Sequence, residues 1–397
     1  IPAWTSFLEE RLSAEFHIPS ATIVNVKRHG NKAAIMIKAA DTLYDITRYN
    51  IHVNDVPVFG SRGQELLFPR RSVYITSNVE LGPGRNKIEV SCFNDRYSES
   101  YRDLVHVDNN EEEKGNLYFI GFGVSDYTDS SLDLLYPRKD VEDLGRVFLS
   151  MKGHYRQVFL QTFTDGRCTP QNIRQAKTYL SGAETEDTVV LFISGHGVHD
   201  TDPQATYYFL TRDADLERLP ETAASFDLIE DILDGIKPRR QLFLMDTCES
   251  GELDEGIVET HLQEAQRSGF GVRAVPGRPS GGMLRLRRRP FLLSRDRFIY
   301  NDLFRRTGAV VFSSSRGGEF SYEPAVYSQK GNGFFTGAVL SALTSDTADR
   351  DGDGFISTDE LQVYVARSVS GRSRGLQNPV IDRDNLFLTI ELPLVNE

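Results

Sequence analysis

The pattern of hydrophobic and polar positions changes character near residue 115. Between residues 46 and 108, apolar and polar residues alternate in short runs such as YNIHVNDVPV, SVYITSNVEL and NKIEVSCFND. Turn residues such as GPGRN separate these runs. Alternation with a period of two is typical of strands that bury one face. This part of the chain therefore predicts a small all-β sandwich of immunoglobulin-like type.

Beyond residue 115, continuous apolar runs alternate with helical patterns. The runs include NLYFIGFGV, YRQVFLQTF, DTVVLFISGHG, RRQLFLMDTC and GAVVFSSS. Between them lie helical patterns for which Asp140 is a predicted N-cap and Thr169 a second one, followed by Pro170. Strands that are apolar throughout and joined by helices predict an α/β fold, with a mostly parallel sheet flanked by helices. In such sheets, ligands bind beyond the carboxyl ends of the strands.

These patterns divide the chain into four predicted segments. They are an N-terminal extension (1–45), the β-sandwich domain (46–108), an acidic linker (109–115) and the α/β domain (116–397). Within the last segment, the Arg-, Gly- and Pro-rich stretch from about 266 to 291 has no periodicity. It is too long for an ordinary connection, so we expect it to be functional or disordered.

Composition narrows the function classes. The 397 residues carry a net charge of −12, which disfavours nucleic acid and anionic lipid as partners. No apolar run approaches the roughly 18 residues of a membrane helix. Only three cysteines occur, with no CxxC pair, which argues against a disulfide framework or a cysteine zinc site. We expect a cytoplasmic protein.

Two predicted strands end in reactive side chains. SGHG places His196 after one strand, and DTCESG places Cys248 after another. A cysteine gains nucleophilicity from a neighbouring imidazole, and the Gly197 and Cys248 N–H groups could form an oxyanion hole. A lone buried cysteine is more often a small core residue. The conjunction of both motifs favours catalysis.

Together, SGHG and DTCESG resemble the caspase-like cysteine peptidases: caspases, metacaspases, paracaspases and bacterial orthocaspases. The resemblance spans about residues 115–395 and includes KDVEDL and GFFTGAVLSAL. The preceding β region resembles the domain placed before this module in bacterial proteins that also carry WD repeats. The resemblance implies an endopeptidase with Cys248 as nucleophile, His196 as general base and no organic cofactor. It also implies a protein or peptide substrate and an upstream or partner WD-repeat-like regulatory domain.

Acidic residues near the strand ends suggest a basic specificity. Asp246 lies two residues before the cysteine, as in metacaspases and paracaspases, and a carboxylate there would favour Arg or Lys before the scissile bond. Asp126 resembles a second acid of this pocket, and Glu319 or Glu323 a third. The alternative is that these acids cap turns. The Glu that follows Cys248 departs from the His of many relatives, which leaves fine specificity open.

The Arg-rich stretch would suit autocleavage by such an enzyme. Its candidate sites are Arg267, Arg273, Arg278, Arg285, Arg287 and Arg288. The alternative is a solvated loop without this role.

DRDGDGFISTDE, residues 349–360, matches the EF-hand pattern. Ca²⁺ would be bound by Asp349, Asp351, Asp353, the Phe355 carbonyl, Ser357 and Glu360. EF-hands normally work in pairs, and this one has no second loop.

The sequence is also compatible with three other functions. A transamidase would use the same cysteine and histidine with an amine in place of water. A pseudo-peptidase would keep the fold without activity. A calcium-binding scaffold would need only the acidic loop.

Overall fold

A computed structural model describes residues 17–110, 114–200, 206–248, 263–265, 267–273, 275, 307–316, 319–382 and 389–395. The chain forms two compact units that divide after residue 113, and Thr307 and Gly308 belong to the first unit. Within the described residues, no helix is long and apolar enough to cross a membrane.

The N-terminal unit consists of antiparallel strands. They are β1 (Ser20–His29), β2 (Lys32–Ala40), β3 (Ile46–Val53), β4 (Val56–Pro57), β5 (Gln64–Arg70), β6 (Ser72–Glu80), β7 (Gly84–Asn94) and β8 (Asp103–Asn109). One sheet has the order β1-β2-β6, and the other has the order β4-β3-β7-β8 with β5 on β3. Because β1 and β2 precede residue 46, the β region begins at Ser20, inside the expected N-terminal extension.

The second unit mixes strands and helices. Its strands are β9 (Leu117–Gly123), β10 (Val158–Thr164), β11 (Thr188–Gly195), β12 (Gly197–His199), β13 (Tyr207–Phe209), β14 (Ala224–Ser225), β15 (Arg240–Thr247), β16 (Phe270–Val272), β17 (Val310–Ser313), β18 (Tyr322–Pro324), β19 (Phe355–Ser357), β20 (Val380–Asp382) and β21 (Glu391–Pro393). Its helices are α1 (Pro137–Ser150), α2 (Pro170–Ala176), α3 (Leu219–Thr222), α4 (Phe226–Glu230), α5 (Phe334–Thr344) and α6 (Thr358–Arg372).

A six-stranded sheet organises this unit in the order β10-β9-β11-β15-β17-β20. The first five strands are parallel and β20 is antiparallel, so the predicted mostly parallel sheet is confirmed. Successive residues of each strand point to opposite faces. Ile193 and Met245 pack with α2 and α4 on one face, whereas Phe192 and Leu244 pack with α1, α5 and α6 on the other. Both faces are covered, which explains the unbroken apolar runs.

The two predicted helix starts have different outcomes. Thr169 caps α2 by accepting a hydrogen bond from the Asn172 N–H, as predicted. Asp140 is not an N-cap: α1 begins at Pro137, three residues earlier, and Tyr136 is the N-cap residue. Asp140 therefore lies in the first turn, where its side chain faces the protein interior.

Candidate active site

The parallel pairing of β11 with β15 brings His196 and Cys248 to the same edge of the sheet. The last registered pair is Gly195 with Thr247, and His196 and Cys248 are the next residue of each strand. Neighbouring strands lie about 4.8 Å apart. Both side chains are buried, with His196 2% exposed. The sequence motifs thus meet at the carboxyl ends of two adjacent strands.

The surroundings of His196 determine its tautomer. Its Nε2 lies 2.9 Å from the carbonyl oxygen of Leu132, which can only accept a hydrogen bond, so Nε2 carries the proton. The lone pair of the neutral ring is then on Nδ1, which has no hydrogen-bond partner among the described residues. Burial lowers the pKa of His196 to about 4. At neutral pH the ring is therefore neutral and has a free basic nitrogen.

Cys248 is held as a thiol beside the backbone of Ser321. The Ser321 N–H donates to the Cys248 sulfur at 3.0 Å. Burial raises the pKa of Cys248 to about 12, although the Ser321 N–H and the charge of Arg273 act in the opposite direction. Within the described part of the chain, no hydrogen bond joins this sulfur to His196. No preformed thiolate–imidazolium pair is present.

Gly197 allows the backbone after His196 to approach the backbone of Cys248. A Cβ at position 197 would lie 2.6 Å from the Cys248 carbonyl oxygen and would also collide with the Tyr207 hydroxyl. Only glycine fits here without a shift of backbone atoms. The close approach keeps both strand ends within one small volume.

Three buried carboxylates from three different elements converge next to this edge. Asp246 is the penultimate residue of β15, two residues before Cys248. Asp140 comes from the first turn of α1, and Glu323 comes from β18. Each is anchored by hydrogen-bond donors. Ser321 and Thr336 hydroxyls donate to Asp246, Asn332 and Gly333 to Asp140, and the Leu135 N–H to Glu323.

The guanidinium of Arg273 fills the space between these carboxylates. Its Nη2 lies 2.6 Å from Asp140, Nη1 lies 3.0 Å from Asp246, and Nε lies 3.1 Å from Glu323. Nη1 also donates to the Ser194 hydroxyl at 2.8 Å. All three nitrogen atoms are therefore bound, in the fork geometry that arginine presents to carboxylates. We call Asp140, Asp246 and Glu323 the acidic pocket.

The absence of a side chain at Gly333 leaves space for the Arg273 guanidinium. A Cβ at position 333 would collide with Arg273 Nη2 and lie 2.9 Å from Asp246 Oδ2. The start of α5 therefore forms one wall of the acidic pocket without a side chain.

Burial and mutual repulsion alter the titration of the pocket. Burial raises the pKa of Asp140 to about 6; the Arg273 charge lowers it and the Asp246 charge raises it. Burial likewise raises the pKa of Glu323, while Arg273 lowers it. Burial alone would lower the pKa of Arg273, but the three carboxylates raise it above its usual value. The pocket thus holds a charged guanidinium and favours a cation over a neutral group.

Two acids expected near this site lie elsewhere. The side chain of Asp126 is 65% exposed and pairs with Arg212 at 3.3 Å. Glu319 accepts hydrogen bonds from the backbone and side-chain nitrogens of Asn378. Of the four predicted substrate-binding residues, the structure brings together Asp246 and Glu323. Asp140, predicted as a cap, lies where Asp126 was expected.

The acidic loop, residues 349–360, matches only part of the arrangement expected for a Ca²⁺ site. The carboxylates of Asp349, Asp351 and Asp353 bring ligand atoms within 4.8 Å of one another. Glu360 instead accepts from the Arg350 N–H at 2.7 Å and forms a capping box with Ser357 at the start of α6. Phe355 lies in β19, paired with β21. Three of the six expected ligands converge, and the twelfth position caps a helix.

The autocleavage candidates fall into two groups. Arg273 lies in the acidic pocket, and Arg267 is exposed. Arg278, Arg285, Arg287 and Arg288 lie outside the described residues, as does Glu249.

The chain is similar to a known domain family and to several solved structures. The sequence model of the caspase domain matches residues 120–389. Among solved structures, a protein from Geobacter sulfurreducens is 15% identical, with 69% of this chain and 97% of that chain covered and a TM-score of 0.44. Caspase-1 from Spodoptera frugiperda is 16% identical, with 73% and 98% covered and a TM-score of 0.40. The Drosophila initiator caspase Dronc is 9% identical, with 67% and 79% covered and a TM-score of 0.38.

No curated protein matches the chain in sequence. The caspase-domain match nevertheless covers well over half of the chain. The protein therefore belongs to the caspase-domain family, whose members are cysteine hydrolases.

Proposed function

We propose that this protein is a cysteine endopeptidase that cleaves proteins or peptides after Arg or Lys. The observation that carries the proposal is the acidic pocket, which encloses the guanidinium of Arg273 and includes Asp246, two residues before Cys248. Three carboxylates in a buried site attract a cation strongly, because water screens them little. An Asp or Glu side chain would meet like charges there and would be rejected.

Cys248 and His196 supply the chemistry. The sulfur attacks the carbonyl carbon of the basic residue while the thiol proton moves to His196 Nδ1. The tetrahedral intermediate expels the amine, which takes that proton and leaves a thioester on Cys248. His196 then removes a proton from water, and the hydroxide releases the acid and regenerates the thiol. Because the ring starts neutral and the sulfur protonated, proton transfer accompanies the attack.

The neighbouring groups position these two residues. The Leu132 carbonyl holds the His196 Nε2–H and stabilises the imidazolium that forms when Nδ1 takes a proton. The N–H groups of Gly197 and Cys248 are proposed to bind the oxyanion, since Gly197 brings its backbone against that of Cys248. The two proposed oxyanion donors thus belong to the two strand ends, and the Leu132 carbonyl comes from the turn Ser130–Leu132.

The pocket geometry favours Arg over Lys. Glu323 pairs with Nε of Arg273, an atom that lysine lacks. A lysine ammonium would have Asp140 and Asp246 as its partners instead. Lys substrates are therefore expected to be cleaved, but less efficiently than Arg substrates.

A peptide panel tests the function. Matched fluorogenic peptides with Arg, Lys, Gln or Asp before the cleavable bond are compared on the wild type, on Arg273→Gln, which frees the pocket, and on Arg273→Gln with Cys248→Ala. Arg273→Gln is expected to cleave Arg peptides fastest and Lys peptides more slowly, with Gln and Asp peptides at background. The protein that also carries Cys248→Ala is expected to cleave none of them. Efficient cleavage after Asp, or undiminished activity without the thiol, would contradict the proposal.

A further inference from the structure

The segment that carries Arg273 pairs with β18 in a two-stranded arrangement, as an extended peptide would. In β16, Phe270, Gly271 and Val272 pair antiparallel with β18. The Arg273 N–H continues the pairing by donating to the Ser321 carbonyl at 3.0 Å. Addition of an extended strand to an exposed edge is a common mode of peptide recognition. The pairing therefore sets the register in which Arg273 enters the acidic pocket.

The side chains before Arg273 also have defined neighbours. The Phe270 ring packs edge-on against Phe334 at 4.9 Å and lies 5.9 Å from Tyr322. Val272 is half-buried on the same core. A Cβ at Gly271 would lie 3.2 Å from the Glu323 side chain, which leaves little room for anything larger. Aromatic, small and branched residues thus occupy three consecutive positions before the arginine.

The backbone of Arg273 lies between the two candidate catalytic residues. Ser321 binds the Arg273 N–H with its carbonyl and the Cys248 sulfur with its own N–H. The Arg273 backbone also acts on His196: it raises the pKa of the imidazole, against the larger effect of burial, which lowers it. Val272 packs on one face of the sheet and Val275 on the opposite face. The chain therefore crosses the sheet edge where Cys248 and His196 lie.

We propose that Phe270–Arg273 is bound as the protein's own substrate and that Cys248 cleaves the peptide bond after Arg273. This inference rests on the proposed function. The step adds one water: Cys248 forms a thioester with the Arg273 carbonyl, residue 274 leaves as an amine with the proton from His196, and hydrolysis gives a carboxylate at Arg273. Phe-Gly-Val-Arg is, by the same argument, a preferred sequence in other substrates.

Occupation by this segment also blocks external peptides. Cys248 and Arg273 are fully buried, and His196 is 2% exposed, so an external arginine must displace the segment. The Arg273→Gln variant removes the cation that holds it in the pocket.

Intact-mass measurement locates the cleavage. The wild type is expected to give fragments of 273 and 124 residues (397 − 273), whereas Cys248→Ala stays whole. Arg267→Gln, a control at an exposed arginine of the same stretch, is expected to be cut like the wild type. Arg273→Gln should resist at this bond, and Arg273→Lys, which keeps the cation, should be cut at the same bond more slowly. The rate constant for self-cleavage of the wild type should not change on dilution of the protein, because the substrate segment is already bound in the same chain.

Cleavage of an external peptide distinguishes failure of the internal-substrate inference from failure of the proposed function. If Arg273→Gln cleaves acetyl-Phe-Gly-Val-Arg but the wild type is cut elsewhere, or only in a concentration-dependent reaction, the internal-substrate inference fails and the proposed function stands. If no protein cleaves the peptide or itself, the proposed function fails as well. A thermal melt of Arg273→Gln shows whether its fold is retained, and Arg273→Lys supplies the same test if it is not.

Discussion

Asp140 and Arg273 form a fully buried ion pair of 2.6 Å although 133 residues separate them in the sequence. A buried charge is costly unless charges and hydrogen bonds compensate it. Here Asn332, Gly333 and Arg273 compensate Asp140. This pair is one of the three that Arg273 forms in the acidic pocket, and the Arg273→Gln protein lacks the cation that occupies it.

Asp140→Asn is expected to reduce cleavage of Arg peptides. It removes one of three charges that contact the guanidinium, and loss of a buried charge-paired partner costs about 2–5 kcal/mol, roughly 30-fold or more in kcat/KM. Asp126→Asn is the matched control, because Asp126 is exposed and pairs with Arg212. Steady-state kinetics that show equal losses in both variants would remove Asp140 from the pocket.

Glu323→Gln is expected to narrow the preference for Arg over Lys. Glu323 contacts Nε, so the variant weakens Arg binding more than Lys binding. The ratio of kcat/KM for matched Arg and Lys peptides measures this directly. Glu319→Gln, which affects the contacts with Asn378 and the Arg316 N–H, should leave the ratio unchanged. An unaltered ratio in Glu323→Gln would contradict the assignment.

Binding of an Arg peptide is expected to weaken as the pH falls toward 6. The pKa of Asp140 is about 6 with the guanidinium present, and the Arg273 charge lowers it, so the pKa in the free pocket is higher. Binding of a cation therefore releases a proton, and affinity is greatest above the pKa of the free pocket. Fluorescence anisotropy on Arg273→Gln with Cys248→Ala, from pH 8 to 5, measures the affinity without turnover.

The pH experiment has its own control. Asp140→Asn should weaken the dependence, because one of the two carboxyl groups with a raised pKa is gone and Glu323 remains. Affinity that stays constant, or rises toward low pH, in the protein that retains Asp140 would contradict the prediction.

The sequence predicts the positions of His196 and Cys248 at the strand ends, but it predicts only part of the acidic pocket. Apolar runs that stop at His196 and Cys248 gave both positions, and Asp246 followed from its place on the same strand. The prediction that Asp140 is an N-cap is wrong because α1 begins three residues earlier, at Pro137. Pro137 was the available signal for an earlier helix start, which turns residue 140 inward.

Arg273 could not be placed from sequence. It lies in a stretch without periodicity, and its contacts with Asp140 and Glu323 span 133 and 50 residues. Local patterns carry no information about such pairings. The apolar Phe270 and Val272 before it were the one local hint of an added strand.

The acidic loop remains a predicted Ca²⁺ site. Calorimetry with Ca²⁺ should show binding by the wild type and weaker binding by Glu360→Gln, which loses a charge while a glutamine can still take part in the helix cap. Asp349, Asp351 and Asp353 supply the converging carboxylates. Absence of binding heat in the wild type, confirmed by a melting temperature that does not change with Ca²⁺, would reject the site.

The most direct test of charge recognition next to Cys248 compares arginine with citrulline, which has nearly the same shape and no charge. Two otherwise identical peptides, Phe-Gly-Val-Arg and Phe-Gly-Val-citrulline with the same fluorogenic leaving group, are given to the Arg273→Gln protein. Loss of the buried charge pairs predicts a drop in kcat/KM of roughly 30-fold or more for citrulline. Comparable cleavage of both peptides would contradict recognition of the guanidinium by Asp140, Asp246 and Glu323.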